Sequence, residues 1–167
     1  MTFRNPFLAR TAMLSLVLLP TAAFAELKSE MQAFVVTTDA AGVEQYVAAD
    51  AVKPGQTIEY RMQHTNTFDN AIGGVAVMGP VPNGSELIVE KSSSDVLASF
   101  EVRGEFDPDR PGEEWSALPA QRITIQADGT RVVEPAKPEH FTAVRWVLSE
   151  TMQEDESVNH AYRVQVK

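Results

Sequence analysis

Cysteine is absent from the 167 residues of the sequence. Without a thiol, the chain cannot form disulfides, use a thiol nucleophile, or bind zinc, an iron–sulfur cluster or blue copper through thiolates. A domain of this length has room for a hydrophobic core that makes disulfides dispensable. The absence therefore excludes several classes of enzyme and metalloprotein, and it leaves the choice of fold open.

Motifs for other common catalytic sites are missing as well. No G-x-S-x-G nucleophile elbow occurs, and Gly73-Gly74 is not followed by the lysine and helix of a phosphate-binding loop. Ser92–Ser94 is interpreted as a flexible turn rather than as a source of a nucleophile. Glu113 and Glu114 are interpreted as charged residues of a loop, and not as the two glycosidase carboxylates that face each other across a cleft. The sequence therefore predicts a protein that is not an enzyme, with no catalytic residue, no cofactor-binding residue and no cofactor.

Basic residues are too few to balance the acidic ones. The chain has 14 lysines and arginines against 23 aspartates and glutamates, and two of the basic residues, Arg4 and Arg10, lie within the first 25 residues, which contain no acid. Residues 26–167 therefore carry a formal charge of −11. This sign disfavours nucleic acid and anionic membrane surfaces as partners, and it fits a surface whose charge keeps the protein soluble.

The one sizeable apolar run lies near the N-terminus. This run covers Thr11–Pro20. It follows the basic residues Arg4 and Arg10, and after it comes Ala23-Phe24-Ala25, which has a small residue at each end. This order is typical of a cleavable signal peptide over residues 1–25, with Glu26 as the first residue of the mature chain. The run is shorter than the roughly 20 residues that span a bilayer, and no cysteine follows for a lipid anchor. We expect an exported protein without stable membrane insertion, either periplasmic or secreted.

Sustained apolar patterns at helical spacing are also absent, whereas short alternating runs separated by turn residues are frequent. Thr57–Asn66 is the clearest run, with Ile58, Tyr60 and Met62 on one face. Ala127–Gly129 places an Asp-Gly pair between two further runs, which is a strong hairpin signal. Such spacing predicts an all-β sandwich or barrel of about eight or nine strands, with little or no helix. The runs cover residues 32–38, 43–48, 57–66, 72–78, 86–91, 96–103, 122–126, 130–134, 143–149 and 158–167.

Several side chains allow specific structural predictions. Gly73 and Gly74, inside the predicted strand 72–78, indicate a bulge or a close backbone approach. Asn66 ends its strand, and its side-chain amide is expected to bond nearby backbone and hold the following turn. Trp146 and Tyr162 share strand faces with valines, so we expect both rings in the core. The last strand is expected to pair inside a sheet.

The segment Val52–Ile88 resembles the bacterial cell-surface repeat domain known as DUF11. It carries a turn at Pro54-Gly55, an alternating strand that ends in Thr65–Thr67, a strand of small residues, and a second turn over Pro80–Gly84. These shared residues are turn and core residues, so the resemblance concerns the fold first.

The C-terminal part is similar to the same domain, because Phe141–Ser149 and Ala161–Lys167 match its last two strands. The resemblance implies an immunoglobulin-like antiparallel β-sandwich over residues 49–167, with residues 26–48 as an N-terminal strand extension of the same domain. Members of the family serve as stalks, spacers or adhesive modules in large surface proteins. This chain departs from that pattern, because it has one copy and its own signal peptide.

The three histidines of the chain are His64, His140 and His160, and none lies at a recognisable ligand spacing from another. Met62 and His64 share one strand face, and methionine with histidine is a soft donor pair that suits copper. The alternative, which we favour, is a core methionine beside a half-buried histidine whose ring is hydrogen-bonded. The sequence therefore assigns no metal ligand.

The acidic loop Asp107–Glu114 also allows two interpretations. Its Asp-x-Asp-x-x-Gly order fits a weak calcium contact but lacks the third oxygen ligand and the distal glutamate of an EF-hand. We favour a solvated acidic loop that two prolines stiffen. Trp115, in the predicted loop Gly112–Pro119, either anchors a partner or caps the open end of the sandwich, and we favour the cap.

These observations predict an exported, non-enzymatic β-sandwich that acts as a binding, adhesion or envelope-associated structural module. Its partner would be a protein or another component of the cell envelope, contacted through loops or sheet edges. The alternative function is a small periplasmic carrier of a metal or another ligand on the Met62/His64 strand face. The sequence leaves open the oligomeric state and the choice between periplasm and cell surface.

Overall fold

The computed structural model of the protein describes residues 26–167, and the predicted signal peptide over residues 1–25 lies outside the described residues. This part of the chain has eleven strands and a single 3₁₀ turn, Pro138–His140, and within it no helix has the length and apolar character that crossing a membrane requires. The all-β prediction is confirmed, with more strands than expected. The strands are β1 (Leu27–Thr38), β2 (Glu44–Ala48), β3 (Thr57–Asn66), β4 (Ala76–Pro80), β5 (Ser85–Ser94), β6 (Ala98–Gly104), β7 (Glu114–Ala117), β8 (Gln121–Ile125), β9 (Arg131–Pro135), β10 (Ala143–Leu148) and β11 (Ser157–Val166).

The strands form two antiparallel sheets and a separate hairpin. The larger sheet has the order β2-β1-β3-β11-β5, the smaller sheet has the order β4-β10-β6-β7, and β8 pairs with β9. The sheets pack as a sandwich because each has an apolar face that must be buried. The chain changes sheet at each step from β3 to β6. The final strand lies between β3 and β5, so the prediction that it pairs inside a sheet is confirmed.

The core between the sheets is centred on aromatic rings. Trp146 and Tyr162 are buried, and their ring centroids lie 6.2 Å apart. Tyr60 stacks on Tyr162 at 5.0 Å, and Phe100 packs against Trp146 at 5.1 Å. The Tyr162 hydroxyl donates a hydrogen bond of 2.6 Å to the carbonyl of Pro80. The predicted core positions of Trp146 and Tyr162 are therefore confirmed.

The predicted hairpin forms at the Asp-Gly pair. Gly129 has a φ of +85°, in the left-handed region that glycine adopts without steric cost. The N–H of Gln126 donates to the carbonyl of Thr130 at 2.8 Å, which closes the turn between β8 and β9. The local sequence therefore dictates this turn.

The predicted strand 72–78 is shorter than expected, because β4 begins at Ala76. Gly73 and Gly74 lie before it, and Gly74 has a φ of +68°, a left-handed conformation that a regular strand does not accommodate. Ile72 instead forms an isolated bridge with Met152. The two glycines therefore belong to a connection between the sheets, and the prediction that they lie inside a strand is wrong.

Ser92–Ser94, expected to form a turn, instead complete strand β5. Successive pairs in the ladder between β5 and β11 join Ser93 to Ala161 and Ile88 to Arg163. Four residues of β5 thus lie opposite one residue of β11, which makes a wide bulge. The bulge lets β5 continue through a sequence whose composition favours a turn.

An ion network on the outer face of the larger sheet holds the edge strand β2. Arg163 and Glu59 are both buried, and the guanidinium donates to Glu59 at 2.6 Å. It donates two further hydrogen bonds, of 2.7 and 2.6 Å, to the carboxylate of Glu44. The Tyr46 hydroxyl donates to the same carboxylate at 2.7 Å. The hydrogen bonds from Arg163, followed by that from Tyr46, lower the pKa of Glu44 to about 2.

Replacing Glu44 with glutamine is expected to make stability less sensitive to acid. In the folded protein Glu44 stays ionised down to about pH 2, whereas an unperturbed glutamate takes up a proton near pH 4.5. Its stabilising contribution is therefore complete above pH 4.5 and is lost as the pH falls towards 2. Urea midpoints of the wild type and Glu44→Gln should differ by a constant amount above pH 5 and converge below it. A pH-independent difference, or the same convergence for the exposed control Glu90→Gln, would contradict the role of the network.

Candidate functional site

Two histidines and a methionine meet on the inner face of the larger sheet. Met62 and His64 are two residues apart on β3, so they point to the same side. His160 of β11 lies directly opposite Met62, and Val158 lies opposite His64. The rings of His64 and His160 approach edge to face, with centroids 6.0 Å apart. We call Met62, His64 and His160 the histidine–methionine cluster.

The cluster is buried, and its ring nitrogens lack partners. The exposed fractions are 3% for Met62, 7% for His64 and 2% for His160. Nδ1 of His64 and both ring nitrogens of His160 have no hydrogen-bond partner. His64 is therefore more deeply buried than the sequence suggested, and the hydrogen bond expected for its ring is missing at Nδ1.

Burial also sets the charge of the two rings. Desolvation, with a smaller contribution from the neighbouring His64, lowers the pKa of His160 to about 4. Desolvation likewise lowers the pKa of His64. At neutral pH both rings are therefore uncharged, and each has one nitrogen lone pair that can accept a hydrogen bond or bind a metal ion.

A groove of about 530 Å³ lies next to the wide bulge between β5 and β11. Most of its lining side chains point to the outer face of the larger sheet, because they alternate along the strands with Met62 and His160. Met62 and His160 also border the groove, but their side chains belong to the inner face and are only 3% and 2% exposed. We call this space the seam groove. Its other lining residues belong to β1, β3, β5, β11 and the turn after β5, and they are Glu30, Gln32, Arg61, Gln63, Ser93, Ser94, Asp95, Asn159 and Ala161.

The carboxylates of the acidic loop Asp107–Glu114 face arginines. Asp107 pairs with Arg110 and with Arg131 of β9, each at 3.2 Å, and Glu114 pairs with Arg110 at 3.1 Å. A hydrogen bond from the backbone of the loop, followed by the two arginines, lowers the pKa of Asp107. The loop thus clamps the β8–β9 hairpin, which favours the structural interpretation over a calcium contact. Among residues 26–167, no three histidine, aspartate or glutamate side chains are grouped to hold a metal ion.

Trp115 lies on strand β7 rather than in a loop, opposite Arg103 of β6. Its half-buried ring stands on the outer face of the smaller sheet, where the Arg145 guanidinium lies 4.4 Å from the ring centroid. The Arg103 guanidinium lies 5.9 Å from the same centroid. The two arginines hold the ring in place through cation–π contacts. Trp115 therefore does not cap the open end of the sandwich, contrary to the favoured prediction.

An open cleft of about 520 Å³ separates Trp115 from the β8–β9 hairpin. Beyond it the hairpin presents Val133 and Ile125, which are 61% and 53% exposed. We call this space the Trp115 cleft. It combines an aromatic ring, apolar side chains and charged groups in one concave surface. Its lining residues are Phe106, Asp107, Arg110, Glu114, Trp115, Ser116, Gln121, Arg122, Ile123 and Val133.

The sequence identified Met62 and His64 from a strand pattern and Trp115 from its acidic loop, but it missed the residues that complete each site. His160 reaches the cluster because β11 pairs with β3, and Arg145 reaches Trp115 because β10 lies beside β6. Comparison of the chain with protein-family models, curated proteins and solved structures finds no match.

Proposed function

We propose that the protein is exported and acts without catalysis, as a module that binds another protein of the cell envelope through the Trp115 cleft. The resemblance of Val52–Ile88 to the DUF11 domain supports this proposal, because members of that family serve as stalks, spacers or adhesive modules. The observation that carries it is the half-buried Trp115 ring, which two arginines orient beside an open cleft. Each supporting feature is independent of the others.

The order of charged, apolar and small residues over residues 1–25 supports export. The N–H of Glu26 donates to the Thr67 hydroxyl at 2.9 Å, and the N–H of Thr67 donates to the carbonyl of Glu26 at 3.1 Å. A mature chain that begins at Glu26 would therefore have its first residue bonded to the sandwich.

The composition of the Trp115 cleft supports a protein partner. Tryptophan and arginine dominate the residues whose loss most weakens protein interfaces, and such residues lie in the centre of the contact with less important residues around them. Trp115 is already held by Arg145 and Arg103, so little conformational freedom is lost when a partner packs on the ring.

The charges around the cleft indicate the chemistry of the partner. Arg110 and Arg131 are paired with carboxylates of the acidic loop. Among residues 26–167, Arg122 forms no ion pair with a carboxylate, and its guanidinium contacts the His140 ring, with 2.5 Å between Nη1 and Nε2. An acidic group on the partner would therefore meet Arg122, next to an apolar side chain that packs on Trp115 and Val133. The proposal thus commits to a protein segment with an apolar anchor beside an acidic residue.

Photo-crosslinking in cells tests this surface. A photoreactive amino acid at Val133 should crosslink one defined envelope protein, which mass spectrometry would identify. The same amino acid at Val47 is the matched control, because Val47 is a valine of similar exposure, 59%, on the edge strand of the other sheet. Equal crosslinking to the same protein from both positions, or none from Val133, would contradict docking at the cleft.

A further inference from the structure

We infer that Met62, His64 and His160 form a binding site for one soft metal ion, of the copper(I) class. This inference goes beyond the proposed partner binding and does not depend on it, because the cluster and the Trp115 cleft lie on different sheets. It rests on three features: the donor types, their spacing and their unpartnered nitrogens.

The three donors are close enough to share an ion. Residues directly opposite on antiparallel strands have Cβ atoms about 4.5–5.5 Å apart, and His160 is opposite Met62. A metal bound to an imidazole nitrogen at about 2.0 Å lies about 3.2 Å from the ring centre, so two rings on one ion have centres at most about 6.4 Å apart. The observed separation of 6.0 Å between the rings of His64 and His160 falls within this limit.

The unpartnered nitrogens indicate a ligand rather than a purely structural role. Buried polar atoms are almost always hydrogen-bonded, because losing water without a replacement partner costs stability. Three ring nitrogens of His64 and His160 depart from this rule at adjacent positions. A bound ion would use one lone pair from each ring and would remove part of this cost.

The donor set selects a soft ion. A thioether such as that of Met62 prefers copper(I), imidazole binds copper as well as zinc, and hard ions such as magnesium and calcium prefer oxygen. The three residues of the cluster offer only nitrogen and sulfur donors.

The arrival of an ion at the cluster can be observed by fluorescence. The Trp146 ring lies 5.0 Å from the His160 ring, centroid to centroid, and a copper ion at this distance is expected to quench its fluorescence. The Trp115→Phe variant leaves Trp146 as the single tryptophan of the chain.

The test uses untagged protein, copper(I) under anaerobic conditions, and a competing copper(I) chelator. One copper per chain is expected to bind, with quenching of Trp146 in the Trp115→Phe background. His64→Leu and His160→Leu should each lower the affinity at least about 100-fold. His140→Leu is the matched control, because His140 lies on the 3₁₀ turn, outside the cluster, and should bind copper like the wild type.

Three results with the wild type and the histidine variants would each overturn the inference. They are the absence of stoichiometric copper, copper binding that is unchanged in His64→Leu and His160→Leu, or a clear preference for zinc(II) over copper(I). If a histidine variant fails to fold, the Met62→Leu variant tests the inference in its place. This substitution conserves volume in the core and removes the soft donor. It should lower copper(I) affinity at least about 10-fold while urea stability stays close to that of the wild type, and unchanged copper(I) affinity would equally overturn the inference.

Discussion

Replacing Asn66 with alanine is expected to lower the free energy of unfolding by about 3–5 kcal/mol, because four hydrogen bonds made by one fully buried side chain would be lost at once. Asn66 is fully buried at the end of β3. Its amide nitrogen donates to the carbonyls of Asn70 at 2.9 Å, Met152 at 3.2 Å and Gln153 at 2.9 Å. Its amide oxygen accepts the N–H of Phe68 at 3.0 Å.

The Asn66 side chain therefore joins two connections of the sandwich, the turn after β3 and the segment before β11. The sequence predicted that it would hold the turn, and the bonds to Asn70 and Phe68 confirm this. The bonds to Met152 and Gln153 add a long-range function, since they fix the approach to the last strand.

Urea unfolding of three variants would test the role of Asn66. Asn66→Asp should be at least as unstable as Asn66→Ala at pH 7, because a carboxylate oxygen would replace the donor that faces three carbonyl groups. Asn70→Ala is the control, since its side chain is exposed and makes one long bond of 3.4 Å, and it should change stability by less than about 0.5 kcal/mol. A loss below about 1 kcal/mol for Asn66→Ala would contradict the assigned role.

Replacing Trp146 with alanine is expected to cost about 3–5 kcal/mol, the usual range for removing a large aromatic side chain from a core. The residue is 2% exposed and packs against Phe100, His160 and Tyr162, with ring centroids 5.1, 5.0 and 6.2 Å away. The four rings occupy the centre of the sandwich, so the cavity would be enclosed by side chains from both sheets and could not collapse easily.

Trp115→Ala provides the matched comparison, because it removes the same side chain from the outer face of the same sheet. Its ring is partly solvated and is held mainly by the Arg145 contact, so the loss should be about 1–2 kcal/mol. Urea titrations of the two variants give the comparison directly. Equal midpoints for Trp146→Ala and Trp115→Ala would show that the core assignment of Trp146 is wrong.

Local patterns predicted much of the fold because they act over a few residues. Strand β3 has the predicted bounds, Thr57–Asn66, since alternation at Ile58, Tyr60 and Met62 is unambiguous. The Asp128-Gly129 turn formed where it was expected for a similar reason. By contrast, β7 is four residues long and shows no apolar alternation, so its pairing with β6 decides its conformation.

The candidate sites were less predictable, because they depend on strand order and register. Met62 and His64 could be placed on one face from their spacing alone. His160 could not be added, because 96 positions of sequence separate His64 from His160, and only the pairing of β3 with β11 brings them together. Trp115 was likewise recognised as an aromatic residue in an acidic context, but the arginines that hold its ring come from two other strands.

The central claim, that the protein binds an envelope partner through the Trp115 cleft, is tested most directly by a dissociation constant. The partner crosslinked at Val133 would be purified and titrated by calorimetry against the wild type, Trp115→Ala and Val47→Ala. A residue at the centre of an interface contributes about 2 kcal/mol or more, so Trp115→Ala should raise the Kd at least about 30-fold, while Val47→Ala leaves it within about twofold. An unchanged Kd for Trp115→Ala would contradict the claim.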